Sequence, residues 1–366
     1  MKPKVLFIMH MPPPIHGAAM MGKYIHDSKL VNDEFECRYI NMSTSNKLND
    51  IGKINLHKLF SLWSLLKVIR KIIRDFSPGL IYLTPNASGK AFFKDFLIIQ
   101  FVKCHCRNIV VHYHNKGIST NQDKWLYDKL HKKLFEDLKV ILLSKELYPD
   151  ISKYVMQEDV YYCANGIPMA SVDPVLKKEN SAVFRFLFLS NMMRSKGVYT
   201  LLNACMLLKK KGFSFICTFI GDWKDITEID FRKRVEALQL TNNVIAVGPK
   251  YGEDKQRLLS MADCFVFPTV YANEAFSLVL LEAMQHRLPC ISTYEGGIPS
   301  IVDDEETGFL VEVHNEEMLC DKMKWMMENP DEAKKMGNKG WSKFQQEYTL
   351  EAFEQRFVNI LKALTC

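Results

Sequence analysis

Two glutamates eight residues apart, Glu274 and Glu282, bracket a segment whose residue types suit phosphate binding. Glu274 stands at the mouth of a loop, and Ala275-Phe276-Ser277 opens the helix that carries Glu282. The first amides of a helix have no internal partners, and with the helix dipole they favour a phosphate group. A carboxylate just upstream can reach a sugar, and one farther into the helix can accept both hydroxyls of a ribose. After a short buried strand, Gly296-Gly297 makes a second loop on the same edge of a sheet. Two glutamates at this spacing are common by chance. Set between a strand ending in Pro268 and the loop Glu295-Gly296-Gly297-Ile298-Pro299, the pair becomes specific.

Three other strand ends carry candidate chemistry. The strand RFLFLS opens onto Asn191-Met192-Met193-Arg194-Ser195-Lys196-Gly197, where two cations beside a glycine can neutralise a departing diphosphate; an ordinary charged loop has the same composition. After the first strand comes His10-Met11-Pro12-Pro13-Pro14-Ile15-His16-Gly17-Ala18-Ala19, in which Gly17 and the small residues after it let backbone amides approach a ligand. This is no G-x-G-x-x-G fingerprint, which argues against a nicotinamide enzyme. In His112-Tyr113-His114-Asn115-Lys116-Gly117, strand alternation puts both histidines on one side. His114, nearer the loop, could donate to a sugar hydroxyl. Cys104-His105-Cys106 lacks zinc-site spacing, and no metal is expected.

Short apolar runs alternating with amphipathic ones position these loops, and the alternation implies repeated β-α units and parallel sheets. Strands are expected at Lys4–Met9, Leu80–Thr84, Asn108–Tyr113, Val140–Leu143 and Val160–Cys163, then at Phe184–Leu189, Phe215–Ile220, Val244–Val247, Cys264–Phe267, Cys290–Ser292 and Phe309–Val311. At 366 residues the chain suits two doubly wound domains. We expect one over residues 1–165, one over 166–345, and a last helix in 346–366 packing back toward the first.

Ten scattered cysteines, mostly in apolar runs, fit reduced thiols of a cytoplasmic protein. The opening MKPKVLFIMHMPPP reads as a first buried strand rather than a signal peptide, and no segment approaches the ~20 apolar residues of a spanning helix. Residues 1–165 hold 24 Lys+Arg against 15 Asp+Glu, whereas the remainder holds 24 against 27. The basic half suits an anionic membrane surface or a phosphorylated acceptor, and the absence of any reading motif argues against nucleic acid. The segment from Lys58 to Arg74 should form a helix with one basic face and with Leu59, Leu62, Trp63, Leu66, Ile69 and Ile73 on its other faces. A core-packing helix with a solvated basic face and a helix lying on anionic lipid both fit.

Taken together, PPPIHGAAM, ANGIP, SKGVYTLLNA, ADCFVFPTVYANEAFSLVLLEAMQHRLPCIS and EGGIPSIVDDEETGFLV resemble glycosyltransferase family 4 over nearly the whole chain. The resemblance implies the GT-B fold, two Rossmann-like domains facing a deep cleft, and sugar transfer with retention from a UDP- or GDP-linked donor without a metal. It implies that Glu274 contacts the donor sugar, Glu282 binds the ribose, and the amides of Phe276, Ser277 and Leu278 hold the diphosphate that Lys196 neutralises. Gly17 would lie against donor and acceptor, and His114 near the donor sugar. The acceptor implied is a saccharide or lipid-linked saccharide of a surface polysaccharide, on the inner face of the membrane. Two positions depart from the family. Ser190-Asn191 replaces the usual Gly-Arg, which makes Arg194 the candidate substitute cation, and Arg287 replaces a small residue. A nucleotide-sugar epimerase or hydrolase on the same scaffold, and a non-catalytic sugar-nucleotide-binding protein, are the alternatives.

Overall fold

The computed structural model describes residues 1–13, 17–42, 56–170 and 183–365. Pro14, Ile15 and His16 of the first loop, the stretch 171–182 near the expected domain boundary, and the side chains of residues 56–59, Lys58 and Leu59 among them, lie outside the described residues. The chain forms two units, one made of Met1–Gly166 with Leu350–Cys366, the other of Ile167–Thr349.

Unit 1 is built on a parallel sheet of β1 (Lys4–Met9), β2 (Glu36–Asn41), β3 (Leu80–Leu83), β4 (Ile109–His112), β5 (Lys139–Leu142) and β6 (Val160–Tyr162) in the order β2-β1-β3-β4-β5-β6. β1, β3 and β4 are buried almost throughout, as strands covered by helices on both faces must be. β2 is the strand the apolar-run pattern misses. Its sequence ECRYIN buries only Ile40, because it lies at the sheet edge and alternates polar with apolar residues. The last helix, Leu350–Thr365, completes this core: Phe357 lies 5.2 Å from the Tyr82 ring and 6.4 Å from that of Phe7, centroid to centroid.

Unit 2 repeats the plan with β7 (Phe184–Leu189), β8 (Phe215–Ile220), β9 (Val244–Ala246), β10 (Cys264–Phe267), β11 (Cys290–Thr293) and β12 (Gly308–Val311), ordered β12-β11-β10-β7-β8-β9. The chain stays with this unit as far as Thr349, where Tyr348 is buried with its hydroxyl donating to the Ser300 carbonyl at 2.6 Å. Strand order reverses between β1 and β3 in unit 1 and between β10 and β7 in unit 2. Ligands of open parallel sheets bind beyond the carboxyl ends of the strands at such reversals. In unit 2 the loops placed there hold Lys196, after β7, and Glu274, after β10.

Candidate active site

Backbone hydrogen bonds and close approaches clamp those two loops together. The Val270 amide donates to the Ser195 carbonyl at 2.8 Å, and the Thr269 hydroxyl reaches the same oxygen at 3.3 Å. Gly197 has a left-handed φ of 82°, and a Cβ there would stand 2.0 Å from the Pro268 carbonyl oxygen, so only glycine lets the β7 loop lie against β10. On the other side, the Gly297 amide donates to the Ala275 carbonyl at 2.9 Å, and Gly296 lies directly on the Glu274 backbone.

This clamping brings Lys196 Nζ to 2.5 Å from Glu274 Oε2 across 78 residues of sequence. The ammonium also lies 4.3 Å from the Tyr271 ring centroid, and Glu274 is only 8% exposed. A nearly desolvated ion pair on an aromatic face interacts more strongly than one in water. Beside it Ser277 caps the helix Leu278–Gln285 by position, yet its buried hydroxyl bonds to no protein group. Phe276 is buried with its ring 5.9 Å from that of Tyr348, and Leu278 begins the helix. The site therefore offers a cation, a carboxylate, helix-start amides and an unused hydroxyl.

Glu282 sits farther along that helix, paired with Lys255 Nζ at 2.6 Å. Lys255 and Tyr271 escaped the sequence reading. The signal available for Lys255 was its place in the helix Gly252–Met261, which follows the carboxyl end of β9 on the same sheet edge. Arg194 is exposed, with its guanidinium 5.6 Å from the Tyr199 ring centroid and its amide donating to Asp225 at 3.1 Å. Arg287, where the family has a small residue, adopts a left-handed φ of 56°. The backbone therefore keeps the conformation glycine would favour, while the side chain donates to Asn338 at 3.0 Å and covers the Trp341 ring at 5.2 Å.

In unit 1, Gly17 begins the helix Gly17–Asp27. His114 lies just past β4, its ring 4.2 Å from that of His112, so both share a side. His112 is fully buried against the Tyr82 hydroxyl at 2.8 Å, and burial holds its imidazole well below the ordinary pKa. One carboxylate anchors the loop after His114: Asp150 accepts from the amides of Gly117, Ile118 and Ser119 at 2.9, 3.1 and 2.9 Å and from the Ser119 hydroxyl at 2.6 Å. A second carboxylate, this one buried, joins the ends of β1, β3 and β4. Asp95 accepts from the Asn86 side chain at 2.7 Å, and Asn86 in turn reaches His10 at 3.2 Å and Asn115 at 3.4 Å. Burial raises the Asp95 pKa. Sequence reasoning missed this network because its members are scattered over three loops.

Comparisons with known proteins agree with this architecture. At the level of fold, the chain is a GT-B protein: a glycosyltransferase from Rickettsia africae superposes with a TM-score of 0.73 at 18% identity, covering 99% of this chain and 98% of that one. The Anabaena protein HepE in complex with UDP-glucose also gives 0.73, at 17% identity, covering 98% and 99%. Residues 174–343, which lie within unit 2, match the family described as glycosyl transferases group 1. Among curated relatives, the colanic acid biosynthesis glycosyltransferase WcaL of Escherichia coli K12 is 23% identical over 69% of this chain and 63% of its own length. The amylovoran biosynthesis glycosyltransferase AmsK of Erwinia amylovora is 26% identical over 54% of this chain and 50% of its own. The chain thus spans less than two thirds of the length of these relatives.

Proposed function

We propose that the protein is a retaining glycosyltransferase of surface-polysaccharide synthesis, moving a sugar from a UDP- or GDP-linked donor to a saccharide or lipid-linked saccharide. The observation that carries the proposal is the Lys196–Glu274 ion pair at the β7/β10 reversal, beside the open start of the helix Leu278–Gln285. The relatives named for polysaccharide synthesis and the UDP-glucose complex of a protein of the same fold support the substrate class.

In this reading the donor diphosphate takes Lys196 from Glu274. The amides of Phe276, Ser277 and Leu278 and the Ser277 hydroxyl hold its oxygens, so charge on the leaving group is stabilised by groups already in place. Glu274, released, accepts from hydroxyls of the donor sugar. Glu282 takes the ribose hydroxyls, with Lys255 setting the orientation of its carboxylate. The acceptor oxygen attacks the anomeric carbon from the face the diphosphate leaves, passing its proton to the departing phosphate, so that configuration is retained without a protein nucleophile or a metal. Gly17 and His114 are the substrate contacts assigned to unit 1, and Arg194 an outer cation for the diphosphate. The helix from Lys58 to Arg74 is assigned to the membrane, with the enzyme on the cytoplasmic face.

A thermal-shift panel of UDP-, GDP- and ADP-sugars tests the donor site, because ligand at about a hundred times its Kd raises stability by about 2.7 kcal/mol. Stabilisation by one nucleotide class, lost in Lys196→Met, is expected; no shift with any sugar nucleotide at millimolar concentration overturns the proposal. Proton NMR of the glycosylated product then reads the anomeric configuration, and free epimerised sugar formed without acceptor would replace transfer by epimerisation.

A further inference from the structure

Three helices of unit 1 carry the chain in one direction along the sheet: Leu56–Phe76 from β2 to β3, Gly89–Lys103 from β3 to β4, and Trp125–Phe135 from β4 to β5. Because such crossovers are right-handed, all three lie on one face of the sheet. Their inner sides are buried, with Ile69, Ile73, Phe92, Ile98 and Leu134 in the core. Their outer sides are not polar in the usual way. Seven of the fifteen exposed large hydrophobic residues among the described residues are Phe60, Trp63, Val68, Phe93, Leu97, Trp125 and Leu126 of these helices. They include both exposed tryptophans, at 61% and 74%, and both exposed phenylalanines. Trp63, expected on an apolar side of the first helix, faces solvent instead.

These side chains form one band. All but Val68 lie within the first nine residues of their helices, and a helix that follows a parallel strand begins at the carboxyl edge of the sheet. Phe93 touches Tyr127 of the third helix, with ring centroids 5.6 Å apart. Cations sit over the aromatics: Lys67 Nζ lies 3.6 Å from the Trp63 ring centroid and Lys129 Nζ 5.4 Å from that of Trp125. The three helices hold 11 Lys+Arg against 3 Asp+Glu. Of the three acids Asp95 is buried, and Asp128 is paired with Lys132 and Lys153 at 2.7 and 2.9 Å.

We propose that this helical layer is a membrane-docking face for a bilayer bearing anionic headgroups, with Phe60, Trp63, Phe93, Leu97, Trp125 and Leu126 as its interfacial anchors. Tryptophan and phenylalanine beside lysine is the composition that settles at the headgroup level, where the ring enters the acyl boundary and the ammonium meets lipid phosphate. The positive excess selects a negative surface, attracting it within about a Debye length. No helix among the described residues is long and apolar enough to cross a membrane. The inference widens the single basic helix of the preceding reading to a three-helix face and moves its apolar anchors to the carboxyl edge of unit 1. Only the corollary, that a lipid-linked acceptor reaches His114 from that edge, rests on the transfer reading.

The test is flotation of the full-length protein with vesicles of phosphatidylcholine alone and with roughly one third phosphatidylglycerol. Wild type floats with the anionic vesicles at low salt and is largely released at about 0.5 M salt. Trp63→Ser with Trp125→Ser lowers the partition coefficient about tenfold or more, while the thermal shift with sugar nucleotides is unchanged. Failure of wild type to float at low salt, or variants floating like wild type, overturns the docking face whatever the donor panel shows. Self-association without vesicles that the double variant abolishes assigns the band to a second copy of this chain and overturns the proposal equally.

Discussion

Gly296→Ala probes the brace that holds Glu274 in place, and Gly212→Ala supplies its internal standard. Both glycines are left-handed, with φ of 58° and 85°. An alanine there costs about 1–2 kcal/mol of backbone strain and recovers some of it by restricting the unfolded chain. Those two contributions are common to both variants and cancel in the difference. What differs is space. A Cβ at Gly212 meets nothing within 4 Å, whereas one at Gly296 would stand 1.9 Å from the Glu274 carbonyl oxygen and 2.9 Å from its carbon. Reaching an ordinary contact of 3.4 Å requires the loops to part by 1.5 Å, the difference between the two distances. Forced repacking of this kind costs about 1–3 kcal/mol, so Gly296→Ala should be less stable than Gly212→Ala by that amount in urea titrations followed by tryptophan fluorescence. The same displacement separates Glu274 from Lys196, which lie 2.5 Å apart, and should lower the transfer rate about hundredfold. Equal stability of the two variants, within about 0.5 kcal/mol, would refute the reasoning that Gly296 is required by close approach.

Two further outcomes follow from polar groups of unit 1. Asp150→Ala removes the acceptor of three backbone amides and a hydroxyl and should cost about 3 kcal/mol, measured by urea unfolding, with hydrogen exchange accelerating at Gly117–Ser119 before the rest of the sheet. His131 is buried among Phe92, Tyr127, Phe135 and Tyr154, and burial lowers its pKa to about 4. The unfolded imidazole binds a proton near 6.5 and the folded one does not until pH approaches 4, so stability from this group is full above pH 6.5 and is lost as pH falls from there through 4. The loss is on the order of 3 kcal/mol at the acid end, and His131→Phe should flatten the pH dependence of unfolding between those limits. His112, shifted the same way, leaves a remainder of the same sign.

The strands on which the site rests were legible because each buried parallel strand is a short apolar run between turn residues, as CFVF of β10 is between Asp263 and Pro268. β2 was not, because an edge strand need not be apolar throughout. The exposure of Trp63 was hidden for a related reason. A helix pattern places a tryptophan on a face, but whether another element covers that face depends on neighbours far away in sequence. Arg287, where the family has a small residue, is a left-handed residue whose side chain lies over the Trp341 ring and bonds Asn338, a placement that residue type alone does not carry.

From its sequence alone this protein is a two-unit chain of β-α repeats with glutamates and a Lys-Gly element at strand ends, since periodicity and local turn chemistry are properties of neighbouring residues. Only the tertiary structure decided that Lys196 meets Glu274, that Lys255 meets Glu282, and that Asp95 joins three loops through Asn86. The physical reason is the crossover topology. It brings β7 beside β10 and β1 beside β3, and so sets side by side strand ends that lie some 80 residues apart along the chain. Nothing in local sequence encodes which of those ends become neighbours.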